Sequence, residues 1–205
     1  AEHRALIKNA LLDCRVSKVD FIDAPFAAFE GFYKSDDEKL SESNGILLCD
    51  IGGGSVECAF VRGGEILRSE TYFGGGSDSD NTICVYLRRH YGLAVTRQEA
   101  EAAKRKLDLT VPEQPPFVMC GLDTSTAPCV KGAAACIRTV LPNLPRFAGK
   151  PTEADRILLM GGGANLPGID GYIAAELDTE IPVEVAEEPS DCVVRGLNRI
   201  ISREK

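Results

Sequence analysis

Ile46-Leu47-Leu48-Cys49-Asp50-Ile51-Gly52-Gly53-Gly54-Ser55 is the stretch on which the fold turns. An apolar run of this kind reads as a buried strand. The three glycines at its end leave bare backbone N–H groups where no Cβ stands in the way of a ligand. A concavity lined by such groups suits phosphate oxygens. The pattern returns in Arg156-Ile157-Leu158-Leu159-Met160-Gly161-Gly162-Gly163-Ala164-Asn165. Two loops of this kind predict a nucleotide clamp.

Working outward, Arg62-Gly63-Gly64-Glu65 reads as the hairpin between strands at 56–61 and 66–73. Gly74-Gly75-Gly76-Ser77-Asp78 breaks that sheet and, taken alone, is a tight turn before a helix at 80–91. Thr96-Arg97-Gln98-Glu99 has the capping-box pattern and opens a helix that runs through Glu101, Lys104 and Arg105 to Leu107. Residues 111–116 are proline-rich and irregular, and a helix at 130–141 is ended by Pro142 and Pro145. Beyond the second glycine triplet the spacing predicts a helix at 168–177, a strand at 181–186 and a helix at 191–201. Upstream of the first triplet it predicts a helix at 2–14 and a short strand at 19–23. A helix at 26–33 is opened by Pro25, and a solvated loop at 34–44 marks a lobe boundary. Helices alternating with strands give an α/β sheet sandwiched between helices, with ligands beyond the carboxyl ends of the strands. Both triplets lie there.

The 205 residues, 44% apolar, are enough for one large core or two small ones. The chain starts with Ala1 and enters a helical pattern at once, so a fragment of a longer protein is expected. A net charge of −8 provides no electrostatic footprint for nucleic acid or an anionic membrane surface. The eight cysteines include no CxxC pair, and most sit inside apolar runs where a free thiol packs as a small hydrophobe. A reduced, soluble, cytoplasmic protein with no direct membrane segment is expected. Two histidines, His3 and His90, support neither a Ser-His-Asp arrangement nor a histidine-rich metal site, and Cys120, Cys129 and Cys136 are spaced too loosely for a zinc knuckle.

Four motifs, in order, resemble those of the actin-like ATPases. Asp50-Ile51-Gly52-Gly53-Gly54-Ser55-Val56-Glu57 is similar to their second phosphate motif, and Leu159-Met160-Gly161-Gly162-Gly163-Ala164-Asn165-Leu166-Pro167-Gly168 to their adenosine motif. Phe21-Ile22-Asp23-Ala24-Pro25-Phe26-Ala27-Ala28 resembles their first connecting motif, and Glu188-Pro189-Ser190-Asp191-Cys192-Val193-Val194-Arg195-Gly196 the second. Within that superfamily the bacterial MreB-type filament proteins are nearest. The resemblance implies an α/β fold with a mixed sheet flanked by helices, a ribonuclease-H-like actin-type lobe with a small helical inserted subdomain. Residues 1–44 would be a remnant of a first lobe with its connecting helix, and 45–205 the second lobe, with the insert at about 78–128. The family's first phosphate motif, an Asp-x-Gly-Thr-like hairpin, belongs to a lobe almost wholly outside this sequence.

The same resemblance implies ATP and Mg²⁺ as ligands and assigns the residues. Asp50 would hold Mg²⁺ through its water shell and help neutralise the transferred phosphoryl; alone it reads equally as a strand-end carboxylate capping the Gly52-Gly53 turn. Gly52, Gly53 and Gly54 would give N–H groups to the β- and γ-phosphates. Gly76 stands where the family has a glycine-acidic motif, here Gly76-Ser77-Asp78. Gly161, Gly162 and Gly163 would pass under the ribose and α-phosphate, and Asn165 would lie toward the adenine. Glu101, Lys104 and Arg105 fall where the chaperone branch grips adenosine, and i, i+3 and i+4 share a helical face. They also read as a solvated charge run. Ala24 stands where active relatives carry the Glu or Gln that orients the attacking water, so ATP binding with slow or absent hydrolysis is expected.

Three functions fit this pattern. The first is a cell-shape filament subunit that self-associates with ATP in the intact protein. The second is a heat-shock-chaperone-like or reactivating ATPase, and the third an exopolyphosphatase-type relative that shares only the Asp50–Ser55 motif.

Overall fold

The computed structural model describes residues 2–32, 45–109, 128–144, 146–147, 150–151 and 153–203. The predicted loop at 34–44, the proline-rich stretch at 111–116, Cys120 and most of the second half of the expected insert lie outside them.

The sheet is built around β1 (Ile46–Ile51). On one side β1 pairs antiparallel with β2 (Ser55–Arg62), which pairs antiparallel with β3 (Glu65–Phe73). The two residues between β2 and β3, Gly63 and Gly64, both have positive φ (58° and 81°), the requirement of a tight hairpin whose twist matches its strands. A short antiparallel pair, β4 (Arg146–Phe147) and β5 (Lys150–Pro151), stands apart. On the other side of β1 lies β6 (Arg156–Met160), parallel to it, and then β7 (Val183–Val185), parallel again. The order β3-β2-β1-β6-β7 makes a mixed five-stranded sheet.

Side-chain alternation along β1 and β6 divides the apolar residues between two faces. Leu47, Cys49, Ile51, Ile157 and Leu159 join one cluster, beside Cys58 and Phe60 of β2. Its helices are α3 (Gly76–Tyr91), α4 (Arg97–Lys104), α5 (Pro128–Val140) and α6 (Ile169–Leu177), through Ile83, Ala100, Ile137 and Ile173 among others. Ile46, Leu48, Leu158 and Met160 join the other, against α2 (Ala24–Phe32) and α7 (Cys192–Arg203). Burial on both faces is why these strands read as unbroken apolar runs.

Helices α2 and α7 cross in contact. A Cβ on Gly196 would strike the Ala27 carbonyl oxygen, and one on Gly31 the Cys192 carbonyl oxygen. Glu30, buried at the crossing, receives Arg203 Nη1 at 2.8 Å, while its backbone carbonyl takes Arg199 Nη1 at 2.7 Å.

Helix α1 (Glu2–Asp13) has no buried residue, and Leu6 is 66% exposed. Residues 19–23, predicted as a strand, are extended but unladdered: no described strand lies beside them to take up their backbone groups. Helix α3 begins four residues before the predicted Asp80, α4 ends at Lys104 rather than Leu107, and β7 is shorter than 181–186. The seven described cysteines are free thiols. Among the described residues no helix is long and apolar enough to cross a membrane.

Candidate functional site

β1 and β6 run parallel with Asp50 opposite Met160, so the two glycine loops leave the sheet side by side. Their junction has no room for side chains. A Cβ on Gly161 would land on the Asp50 carboxyl oxygen Oδ1 and stand 2.7 Å from the Ile51 carbonyl oxygen, and one on Gly163 would overlap the Ile51 side chain. Gly161 also needs its positive φ of 83°. Past it, Gly162–Asn165 winds into a 3-10 helical turn before α6, where the sequence predicts a glycine loop.

The third glycine run, read from sequence as a tight turn, is part of the same construction. A Cβ on Gly75 would come within 2.5 Å of the Gly52 carbonyl oxygen and 2.7 Å of that of Gly53. The N–H groups of Gly76 and Ser77 donate to those two carbonyls at 3.0 and 2.8 Å, and the Gly74 N–H donates to Gly54 O at 3.2 Å. Bare backbone lies against bare backbone, and helix α3 starts from this junction. Gly75 is its N-cap, donating its own N–H to Asp78 Oδ2 at 3.0 Å.

Helix α4 forms the next wall. Thr96 caps it reciprocally with Glu99, as the sequence pattern predicts. Lys104 Nζ donates to the Gly76 carbonyl at 2.7 Å and to Asp80 Oδ1 at 2.5 Å, with the two side chains only 11% and 8% exposed. It thus ties α4 to the start of α3. Glu101 and Arg105 instead form an exposed i,i+4 pair at 2.7 Å, and Arg105 holds the Glu101 carboxyl below the usual carboxylate range. Glu101 and Arg105 thus pair with each other at the surface, whereas Lys104 is an inward anchor.

The fourth wall is the 3-10 helical turn Pro189–Asp191, which leads into α7. Its Pro189 carbonyl accepts the Gly161 N–H at 2.9 Å, and Ser190 Oγ accepts Asn165 Nδ2 at 2.8 Å.

These walls enclose a cavity of about 910 Å³. Of the sequence-predicted residues, Gly52, Gly53 and Gly76 line it, as do Glu101, Lys104, Arg105, Gly162, Gly163 and Asn165. Asp50, Gly54 and Gly161 do not line it. Asp50 sits at the strand end beneath the loops, with burial and the charge of Glu57 pushing its carboxyl pKa up. Glu57 is its direct cross-strand partner on β2, and like charges so placed repel unless a cation compensates them. Within the Gly52-Gly53 turn above Asp50, the Gly52 N–H donates to Ser55 O at 2.9 Å.

Ser77, Asp80, Arg97, Gln98, Cys129, Leu166 and Ser190 also line the cavity and were not read from sequence. Helical spacing carried a signal for three of them. Arg97 and Gln98 lie one helical turn before Glu101 and so share its face, and Asp80 lies one turn after Gly76. Ser77, Leu166 and Ser190 stand inside motifs already quoted. For Cys129 there was no signal.

The profile of the MreB/Mbl protein family matches residues 1–126 and 122–205. The cell shape-determining protein MreB of Escherichia coli (strain K12) is 28% identical over 213 aligned positions, covering 94% of this chain and 59% of that protein. The cell shape-determining protein Mbl of Bacillus subtilis (strain 168) is 28% identical over 177 positions, covering 77% and 53%. The chain therefore spans between half and three fifths of these relatives' length. Among solved structures, MreB 5 of Spiroplasma citri bound to AMPPNP superposes with a TM-score of 0.71 at 22% identity, over 98% of this chain and 65% of that one. The MamK double helical filament superposes at 0.69 and 18% identity, over 88% and 58%. The fold is actin-like.

Proposed function

This chain belongs to the MreB/Mbl family, and from that premise we propose that it forms the second-lobe half of an ATP cradle in a cytoplasmic, filament-forming cell-shape protein. The observation that carries the reading is the meeting of three glycine-bearing loops and α4 around one cavity of about 910 Å³. The Gly53 amide, at the cavity wall, and that of Gly54 beside it would receive the β- and γ-phosphates, since N–H groups without side chains can approach anionic oxygens closely, while the Gly52 amide holds the turn by donating to Ser55 O. Gly162 and Gly163 would pass beneath the ribose and α-phosphate. Asn165, Glu101 and Arg105 would flank the adenosine end. The Spiroplasma relative was solved with AMPPNP, a nucleotide of the class proposed here.

Mg²⁺ fits the donor set. Asp50 and Glu57 are direct partners across β1 and β2, and burial, with the Glu57 charge added, raises the Asp50 pKa; a cation beside the pair would offset both effects. Asp50 would hold the ion through its water shell. When bound, Mg²⁺ would neutralise charge on the transferred phosphoryl.

Helix α2 opens with Ala24, whose methyl group cannot orient a water molecule, so hydrolysis in the intact protein is slow. In a single-turnover assay on the full-length parent, Ala24→Glu should raise the rate by at least about tenfold, because removing such a positioning group from other nucleotide hydrolases has large effects. A parent that already turns over as fast as glutamate-bearing relatives overturns the slow-hydrolysis part.

The cradle itself is tested by calorimetric titration of the 205-residue chain with ATP and Mg²⁺. Saturable binding with a Kd above about 10 μM is expected for half a cradle, equivalent to less than about 7 kcal/mol. No binding at millimolar ATP overturns the cradle, and sub-micromolar affinity overturns the view that half of it is missing. ATP-dependent sedimentation of the parent checks filament formation.

A further inference from the structure

We propose that Glu188 and Arg195 are positioning residues for the nucleotide: together they hold a left-handed turn that fixes the Gly161 side of the cavity. This rests on the ATP-cradle reading and deepens it.

Three described non-glycine residues have positive φ: Arg15, Asp178 and Glu188. Arg15 and Asp178 follow the ends of α1 and α6, where a left-handed residue is an ordinary way for a helix to stop. Glu188 ends no helix. Its φ of 48° and ψ of 62° are unfavourable for any side chain, and the following Pro189 biases it further toward extended backbone. Strain of this kind persists only where its surroundings enforce it.

Arg195, on the first turn of α7, supplies the enforcement. Its Nη1 donates to Glu188 Oε2 at 2.7 Å and its Nη2 to the Glu187 carbonyl at 2.6 Å, so one planar guanidinium grips the side chain of one residue and the backbone of its neighbour. The Asp191 N–H closes the turn onto Glu188 O at 2.9 Å.

The turn so held presents two acceptors to the nucleotide loop. Pro189 O takes the Gly161 N–H, and Ser190 Oγ takes Asn165 Nδ2, which also donates to Gly162 O at 3.2 Å. Gly161 in turn abuts Asp50. The position of the second glycine loop is thus set from α7 through Arg195 and Glu188, neither of which lines the cavity.

The test uses the 205-residue chain, with ATP affinity from titration and hydrogen exchange of the Gly161 amide. Glu188→Ala keeps the unfavourable φ and loses the grip; it should raise the ATP Kd about tenfold and speed Gly161 exchange, the size of an ordinary coupling between sites. Arg195→Met should do the same. Glu188→Gly, at home in the left-handed region, should restore both readouts to within about threefold of the unsubstituted chain, and adding Arg195→Met to it should change them by less than about twofold. A merely structural salt bridge would give no rescue by glycine. If the unsubstituted chain binds no ATP, the cradle reading falls and this role with it. If it binds and either Glu188→Ala or Arg195→Met binds equally well, or Glu188→Gly is as weak as Glu188→Ala, the positioning role alone falls.

Discussion

Gly75→Ala is the sharpest perturbation of the site, because it adds one methyl group where two glycine loops touch and changes nothing else. Gly75 is in extended backbone, φ −147° and ψ −153°, so alanine meets no left-handed strain there. The obstacle is steric. The new Cβ would stand 2.5 Å from Gly52 O and 2.7 Å from Gly53 O, where ordinary contact begins at 3.4 Å. Both neighbours are backbone and cannot rotate away. The loops must part by about 0.9 Å, the difference of 3.4 and 2.5 Å.

That displacement stretches the Gly76 N–H to Gly52 O bond from 3.0 to about 3.9 Å and weakens its companion from Ser77 to Gly53 O. Two backbone hydrogen bonds at about 1 kcal/mol each, with the poorer capping of alanine relative to glycine added, give a loss of about 2–3 kcal/mol. In a chain of this length that lowers Tm by about 5–10 °C. Gly54→Ala is the control, since no atom lies within 4 Å of a Cβ placed there, and it should change stability by less than about 0.5 kcal/mol. Urea unfolding followed by circular dichroism, with ATP titration on the same samples, measures both variants. If Gly75→Ala and Gly54→Ala unfold within about 0.5 kcal/mol of each other, the loops do not meet as described and the cavity built on them loses two of its walls.

Lys104→Met leaves the buried Asp80 carboxylate without its partner and should cost about 3 kcal/mol by urea unfolding, whereas Arg105→Ala, in an exposed pair, should cost no more than about 0.5 kcal/mol; equal losses would contradict the inward anchor. Asp50 has a raised folded-state pKa, so it favours folding below the ordinary carboxyl range near pH 4 and that contribution is lost as pH rises through the raised value. Asp50→Asn should therefore be more stable than the unsubstituted chain at pH 7 without Mg²⁺, with the gap closing toward pH 4; a less stable variant at pH 7 would mean the carboxylate is already compensated. Gly196→Ala drives a methyl group into the Ala27 carbonyl at the α2–α7 crossing and should cost at least about 3 kcal/mol in chemical denaturation. A smaller loss would show that the two helices can slide apart.

What could be read from sequence was whatever a residue's neighbours along the chain decide. The strands β1, β2 and β6 announce themselves as apolar runs, and Gly63-Gly64 between β2 and β3 can serve only a tight hairpin. Thr96 and Glu99 cap α4 using nothing beyond their own turn. Residues 19–23 failed the same reading for a physical reason: aromatic and β-branched residues favour a strand, but a strand exists only when a second one hydrogen-bonds to it, and none of the described strands does. Helix α3 was placed late because glycine is a poor helix former, and its first turn at Gly76 is instead held by the carbonyls of Gly52 and Gly53, far back in the sequence.

The site follows the same division. The glycine triplets were legible because an amide without a side chain is a local property; that Gly161 needs to be glycine depends on Asp50 and Ile51 lying against it, which only the parallel pairing of β1 with β6 arranges. Lys104 looked like one charge among several on a helix face until Asp80, 24 residues earlier, closed on it. Glu188 carried a misleading signal, since a residue before proline reads as extended, and its left-handed turn is imposed by Arg195 from the next helix. The residues that shape the cavity from a distance are therefore those whose local preference is overruled by a contact. A backbone angle or a buried charge at odds with its own neighbourhood is for that reason the more informative place to look for function in this chain than the glycines that first drew attention to it.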